Sequence, residues 1–281
     1  MTLLKEYYRP QTIDEALALL RRDAATVPLA GGTHLVPALA ASAVVDLQAL
    51  GLDGLIVDGS RVNFGAMVRL QRLVESARDQ VGEFVAEAAR REGPLTYRNA
   101  ATIGGTIAIG DPSSCLLIAL LVLDAEVQLR LPDPATVSLD RLLDNPHKFL
   151  GGGLITGVTA LSAAGAPGVA MATAARTSRD KPIVAAAVRV AHTGEPNSDP
   201  CSDVHIALAG VADRPVRAYE AEERLKGQPL EKGLVDEAVA TALTCLHVPS
   251  DFKGSQEYRC SMAAALAWRA LQEACGKLKN G

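Results

Sequence analysis

The tripeptide Gly-Gly-Thr occurs twice in this chain of 281 residues, at Gly31-Gly32-Thr33 and at Gly104-Gly105-Thr106. Each copy follows a short apolar lead-in, and the second lies in residues 98–115, an otherwise apolar, β-branched run that continues into a Gly110-Asp111-Pro112 turn. A pair of residues without side chains marks a place where the backbone turns or lets a ligand approach closely. N–H groups beside such a pair can form a concave cradle for an anion such as a phosphate. One glycine pair among 24 glycines says little. Two copies of the same tripeptide behind apolar strands say more, and the rest of the chain reads as the scaffold that brings them together.

Neither a G-x-G-x-x-G fingerprint nor a P-loop is present, so a dinucleotide, if bound, is not held in the doubly wound manner. A formal net charge of -4 argues against a nucleic-acid binder. No apolar run approaches the length needed to span a bilayer, and the start MTLLKEYYRP lacks the features of a secretory signal. The five cysteines are scattered without a Cys-x-x-Cys pair. They read as reduced thiols of a cytoplasmic protein, and they exclude an iron–sulfur cluster held by this chain alone in a familiar spacing. Among the histidines no metal-ligand spacing appears, and only His34, in the first glycine segment, has a functional context. A nucleophilic Gly-x-Ser-x-Gly is absent. Asp111-Pro112-Ser113-Ser114 reads as a cap for the helix that follows.

Along the chain, Thr12 and Glu15 form a capping box ahead of an amphipathic helix over 13–22. A strand over 26–30 enters the first glycine pair, and a helix is expected over 34–41. Strands follow at 43–47, 55–58 and 61–64, the last two joined by a hairpin at Asp58-Gly59. Helices are expected over 70–76 and 83–91, the second ended by Gly93-Pro94. Residues 116–122 are apolar enough to be buried. A strand over 126–131 ends at Pro132-Asp133-Pro134, a short helix covers 138–143, an irregular connection leads to Gly153, and a strand over 154–161 closes the first unit. Residues 162–168, SAAGAPG, have the composition of a boundary. Strands at 169–176, 183–192 and 204–211 then precede helices at 219–225, 231–246 and 255–277. The expected class is α+β, with a first domain over 1–165 in two lobes (about 1–55 and 56–165). A small second domain over 166–281 carries a three-stranded sheet with helices.

The segments Ala30-Gly31-Gly32-Thr33-His34 and Thr102-Ile103-Gly104-Gly105-Thr106 resemble the A-G-G-x-[SD] and T-[IV]-G-G-N loops of the FAD-binding subunits of molybdenum hydroxylases. That family includes the medium subunit of carbon monoxide dehydrogenase and the flavin domain of xanthine dehydrogenase. Tyr8-Arg9-Pro10 with Ile13-Asp14-Glu15-Ala16, Gly110-Asp111-Pro112, residues 176–188 and Glu257-Tyr258-Arg259 with Met262 resemble further parts of it in the same order. The resemblance implies a two-lobed FAD-binding domain of the vanillyl-alcohol-oxidase (PCMH) type, followed by a C-terminal domain of CO dehydrogenase flavoprotein type that covers the flavin ring.

Carried over by position, it implies FAD contacts at Leu29, Ala30, Gly31, Gly32, Thr33, His34 and Leu35. A second set falls at Thr102, Ile103, Gly104, Gly105 and Thr106, with Asp111 and Cys115 along the ribityl and adenosine part and Asp180 and Lys181 near the ring. Thr106 stands where the family has Asn, and Cys115 where it has Asp. The activity implied is electron transfer within a multisubunit molybdenum hydroxylase, from [2Fe–2S] clusters of a small subunit to NAD, a quinone or another acceptor. A large molybdopterin subunit oxidises the substrate, the complex being a dimer of heterotrimers, and this chain needs no acid or base catalyst of its own. Two other readings are a stand-alone flavin oxidase of the same fold and a non-enzymatic subunit that has lost FAD.

Overall fold

A computed structural model describes residues 4–34, 43–76, 82–163, 168–177, 180–192 and 200–279. The expected helix over 34–41 falls outside them, apart from His34.

The first three strands form a small parallel sheet in the order β1-β3-β2, from β1 (Glu6–Tyr8), β2 (Thr26–Leu29) and β3 (Ala43–Asp46). The helix Ile13–Arg22 lies against it through Ala16, Leu17 and Leu20. Thr12 caps this helix by accepting the Glu15 N–H at 3.2 Å. The Glu15 carboxylate accepts from the Gln11 N–H rather than from that of Thr12, one residue outside the usual capping box.

A five-stranded antiparallel sheet follows, ordered β4-β5-β8-β6-β7. The hairpin of β4 (Leu55–Asp58) and β5 (Arg61–Gly65) turns at Gly59, whose φ of 57° is left-handed. β8 (Leu154–Leu161) runs between β5 and β6 (Glu126–Arg130). Pro132-Asp133-Pro134 does not end the strand pattern: the chain turns there into β7 (Pro134–Ser138). As the edge strand, β7 can hold a proline without losing a ladder bond. Pro146 likewise starts the helix Pro146–Leu150 where an irregular connection was expected.

The second sheet unit runs β12-β11-β10-β9, all antiparallel, from β9 (Val169–Ala174), β10 (Val184–His192), β11 (Cys201–Ala209) and β12 (Val216–Arg217). It has four strands rather than three, because two residues too few to carry any periodicity pair with β11. Its alanines have a reason. Ala185, Ala187, Ala207 and Ala209 face the buried helix Cys115–Val122 of the first unit. Of the alternate residues, Ala186 and Val188 face the long helix Gln256–Lys279, while Ile206 and Leu208 join the same core on the strand that packs against the helix Tyr219–Leu225. Every residue of the Cys115–Val122 helix is buried, so it is apolar all round, and small side chains opposite let helix and sheet approach closely.

A polar seam crosses the same contact. Asp124, at φ 50°, binds Arg189 and Arg217 at 2.7 Å each and lies 3.2 Å from His205 Nδ1. Burial alone would raise the Asp124 carboxyl. His205 and the two guanidinium groups outweigh it and hold the group at about 2.

Candidate functional site

β2 ends at Leu29, and the chain bends through Gly32, whose φ is 70°. Gly31 presses against the backbone that leads into the second glycine segment: a Cβ there would run into the carbonyl oxygen of Ala100. The two tripeptides, more than seventy residues apart in sequence, therefore meet. They line one cleft, completed by Ala66 and Met67 after β5, by Leu154 and Ile155 of β8 and by Tyr97. Its empty volume is about 870 Å³, the mouth included.

The second tripeptide is not a loop. Thr102 caps the helix Ile103–Ile109 by accepting the Gly105 N–H at 3.1 Å, which puts both glycines in the first turn. Its N–H groups are already spent: Ile103 on Val68, Gly104 on Ala66 and Thr106 on Thr102, all backbone carbonyls. The expected cradle of N–H donors in this segment is thus absent. Its contribution is shape. Gly104 lets the helix rest on Ala66, where a Cβ would come within 2.8 Å of the Ala66 Cβ and carbonyl oxygen, and Gly105 leaves the cleft floor bare. The Thr106 hydroxyl donates to the Thr102 carbonyl at 3.0 Å, which satisfies it within its own helix. The first segment is the reverse: the N–H groups of Gly31, Gly32 and Thr33 have no partner among the described residues.

The remaining candidates divide. Leu29, Ile103 and the charged pairs do not line this cleft, whereas Ala30, Gly31, Gly32, Thr33, His34, Thr102, Gly104, Gly105 and Thr106 do. Ile103 is fully buried in the core of the first unit, and Leu35 lies outside the described residues. Cys115 is 1% exposed at the start of its helix, and burial, with Glu92 nearby, pushes its thiol far up. It does not line this cleft. Asp111 pairs with Lys181 across the two units, Oδ2 to Nζ at 2.7 Å. Burial would raise the Asp111 carboxyl, but the Lys181 ammonium and Ser113 hold it at about 2. Asp180 lies on a second, polar cleft between the units, with Arg90, Arg91, Arg98, Thr173 and Pro182.

Two residues of this neighbourhood were not read from the sequence. Glu92, 3% exposed, accepts from Ser114 Oγ and the Leu116 N–H and stands 3.5 Å from Lys181. It occupies the tail of a helix just before Gly93-Pro94, and a carboxylate there looks like surface. Tyr97 lines the cleft, its hydroxyl 3.3 Å from His34 Nε2. Gly93 makes room for its ring, since a Cβ there would come within 2.9 Å of it.

Residues 3–159 match the family described as the FAD binding domain in molybdopterin dehydrogenase. The chain belongs to that family. Residues 170–274 match the CO dehydrogenase flavoprotein C-terminal domain. Among relatives of this flavoprotein family, the carbon monoxide dehydrogenase medium chain of Afipia carboxidovorans is 32% identical, over 98% of each chain. The nicotine 6-hydroxylase medium subunit of Paenarthrobacter nicotinovorans is 31% identical, over 95% of this chain and 96% of its own. A chain of carbon monoxide dehydrogenase from Hydrogenophaga pseudoflava superposes with a TM-score of 0.88 at 27% identity, over 99% of both. These matches fit the expected α+β flavoprotein fold. No described helix is long and apolar enough to cross a membrane.

Proposed function

We propose that this chain is the FAD-binding electron-transfer subunit of a multisubunit molybdenum hydroxylase. The observation that carries the reading is the single cleft built from both Gly-Gly-Thr segments, with unspent N–H groups on Gly31, Gly32 and Thr33. Donors without protein partners beside a side-chain-free floor are what a diphosphate requires, so the residues present fit FAD. Ala30 to His34 would hold the diphosphate through backbone N–H groups. Thr102, Gly104, Gly105 and Thr106 would form the surface on which it rests. Asp180 and Lys181, on the segment that enters β10, would stand near the ring. FAD, when bound, supplies the exchange of one or two electrons.

The chain's own part is to bind and orient. Thr102 and Ala66 fix the glycine helix as the floor of the cleft. The Lys181 bridge to Asp111 and Glu92 fixes the C-terminal unit against it. No proton transfer by a side chain is needed. By analogy with the relatives, the partners are a large molybdopterin-binding subunit and a small [2Fe–2S] subunit, assembled as a dimer of heterotrimers. Electrons would arrive from the small subunit and leave to NAD, a quinone or another acceptor, in the cytoplasm. The test is purification of the native complex through a tag on this chain, with flavin, iron and molybdenum measured together. Co-purification of two further subunits with FAD, iron and molybdenum supports the reading. A chain that purifies alone and turns over an alcohol, or a complex with metals but no flavin, contradicts it.

A further inference from the structure

Among the described residues, the cleft that would take a diphosphate is lined by no lysine or arginine. The one side chain able to become a cation among its described lining residues is His34, in the position where the family pattern A-G-G-x-[SD] has a serine or an acid. Nε2 of His34 is 3.3 Å from the Tyr97 hydroxyl, and the rings meet edge to face at 80°. Nδ1 has no partner among the described residues. We infer that His34, held by Tyr97, takes up a proton when FAD binds and donates to the diphosphate, so that flavin affinity in this chain depends on pH.

The surroundings leave this charge to His34. Asp46, on the strand beside β2, is occupied by the Tyr7 hydroxyl and the Gln48 N–H. Arg98, on the helix that carries Tyr97, turns away to Gln71 Oε1 and the Gly93 carbonyl. Lys181 does not line the cleft and is bound by Asp111 and Glu92. The helix Ile103–Ile109 carries no titratable side chain, and neither does the sequence of residues 35–42. FAD's diphosphate, esterified at both ends, keeps its charge through the neutral range, so the proton that this proposal invokes goes to the imidazole and not to the ligand. The sign follows from linkage. A ligand that prefers the protonated form binds more tightly as pH falls and raises that group's proton affinity in return.

This inference rests on the reading of the cleft as a flavin site. The test is titration of FAD into the flavin-free chain from pH 8 to pH 6, followed by flavin fluorescence, for the wild type and for His34→Asn. Because a charge-assisted hydrogen bond exceeds a neutral one, Kd should fall roughly tenfold over this range in the wild type. It should stay flat across this range in His34→Asn, whatever that variant's absolute affinity. Binding that is independent of pH in the wild type, or a pH dependence retained in His34→Asn, overturns the role of His34 and leaves the flavin site standing. No FAD binding at any pH overturns the flavin site itself.

Discussion

Lys181 of the C-terminal unit reaches Asp111 of the first unit at 2.7 Å and Glu92 at 3.5 Å, and Glu92 is buried. One ammonium thus serves two carboxylates across the contact between units. Glu92 also caps the buried Cys115–Val122 helix through the Leu116 N–H, so the same residue secures a helix end and a domain contact. Removing the charge strands both acids.

Lys181→Met is accordingly expected to lower stability at pH 7 by about 2 kcal/mol, reduced from the deeply buried case because Lys181 still touches solvent. Asp111 titrates near 2 in the folded chain, below the ordinary carboxylate value, so its stabilisation is present above about pH 4 and is lost as pH falls toward 2. Urea midpoints for the wild type and Lys181→Met should converge below about pH 3. A gap that does not narrow in acid would show that the Lys181 stem, and not its charge, holds the units together.

Gly31→Ala places a methyl group against the Ala100 carbonyl oxygen. Overpacking of this kind costs about 1–3 kcal/mol, since backbone has to move. Thermal denaturation should show the loss, whereas Gly233→Ala, with nothing within 4 Å of its Cβ, should raise stability slightly through helix propensity.

Thr102→Val keeps the volume but removes the oxygen that accepts the Gly105 N–H. The loss of this cap is expected to cost about 1 kcal/mol. Circular dichroism during urea unfolding would measure it. FAD affinity should fall as well, because the floor of the cleft is the helix that Thr102 starts.

Asp124 pairs with Arg189 and Arg217, and Arg217 is itself largely buried against Glu222. Asp124→Asn keeps a side chain tolerant of the left-handed backbone and removes only the charge. We expect a loss of about 2 kcal/mol, read from the urea midpoint at pH 7. No change would mean that Glu222 alone satisfies Arg217.

Much of this fold was legible in the sequence because its elements carry local signals. Thr12 and Glu15 mark a helix start, Asp58-Gly59 marks a hairpin, and the alternation in β6 follows the sheet. β12 was not legible, since Val216 and Arg217 are a strand only because β11 lies beside them. The segment over 98–115 was misjudged in form. Gly104-Gly105 looks like a loop by propensity, yet Thr102 caps it into a helix and Ala66 lies so close that only glycine fits. Glycine there serves packing, and the free N–H groups belong to the other copy. Glu92 and Tyr97 carry no pattern of their own; their partners, Lys181 and His34, are distant in sequence and become neighbours only in the folded chain.

The most direct test of the shared cleft is competition at the flavin-free chain between FAD, ADP and FMN, read by calorimetry. A diphosphate seated on Gly31, Gly32 and Thr33 predicts one FAD per chain, displaced by ADP, which keeps the diphosphate, and far less by FMN, which lacks it. A chain that binds no FAD, or one from which FMN displaces FAD as well as ADP does, would contradict the account.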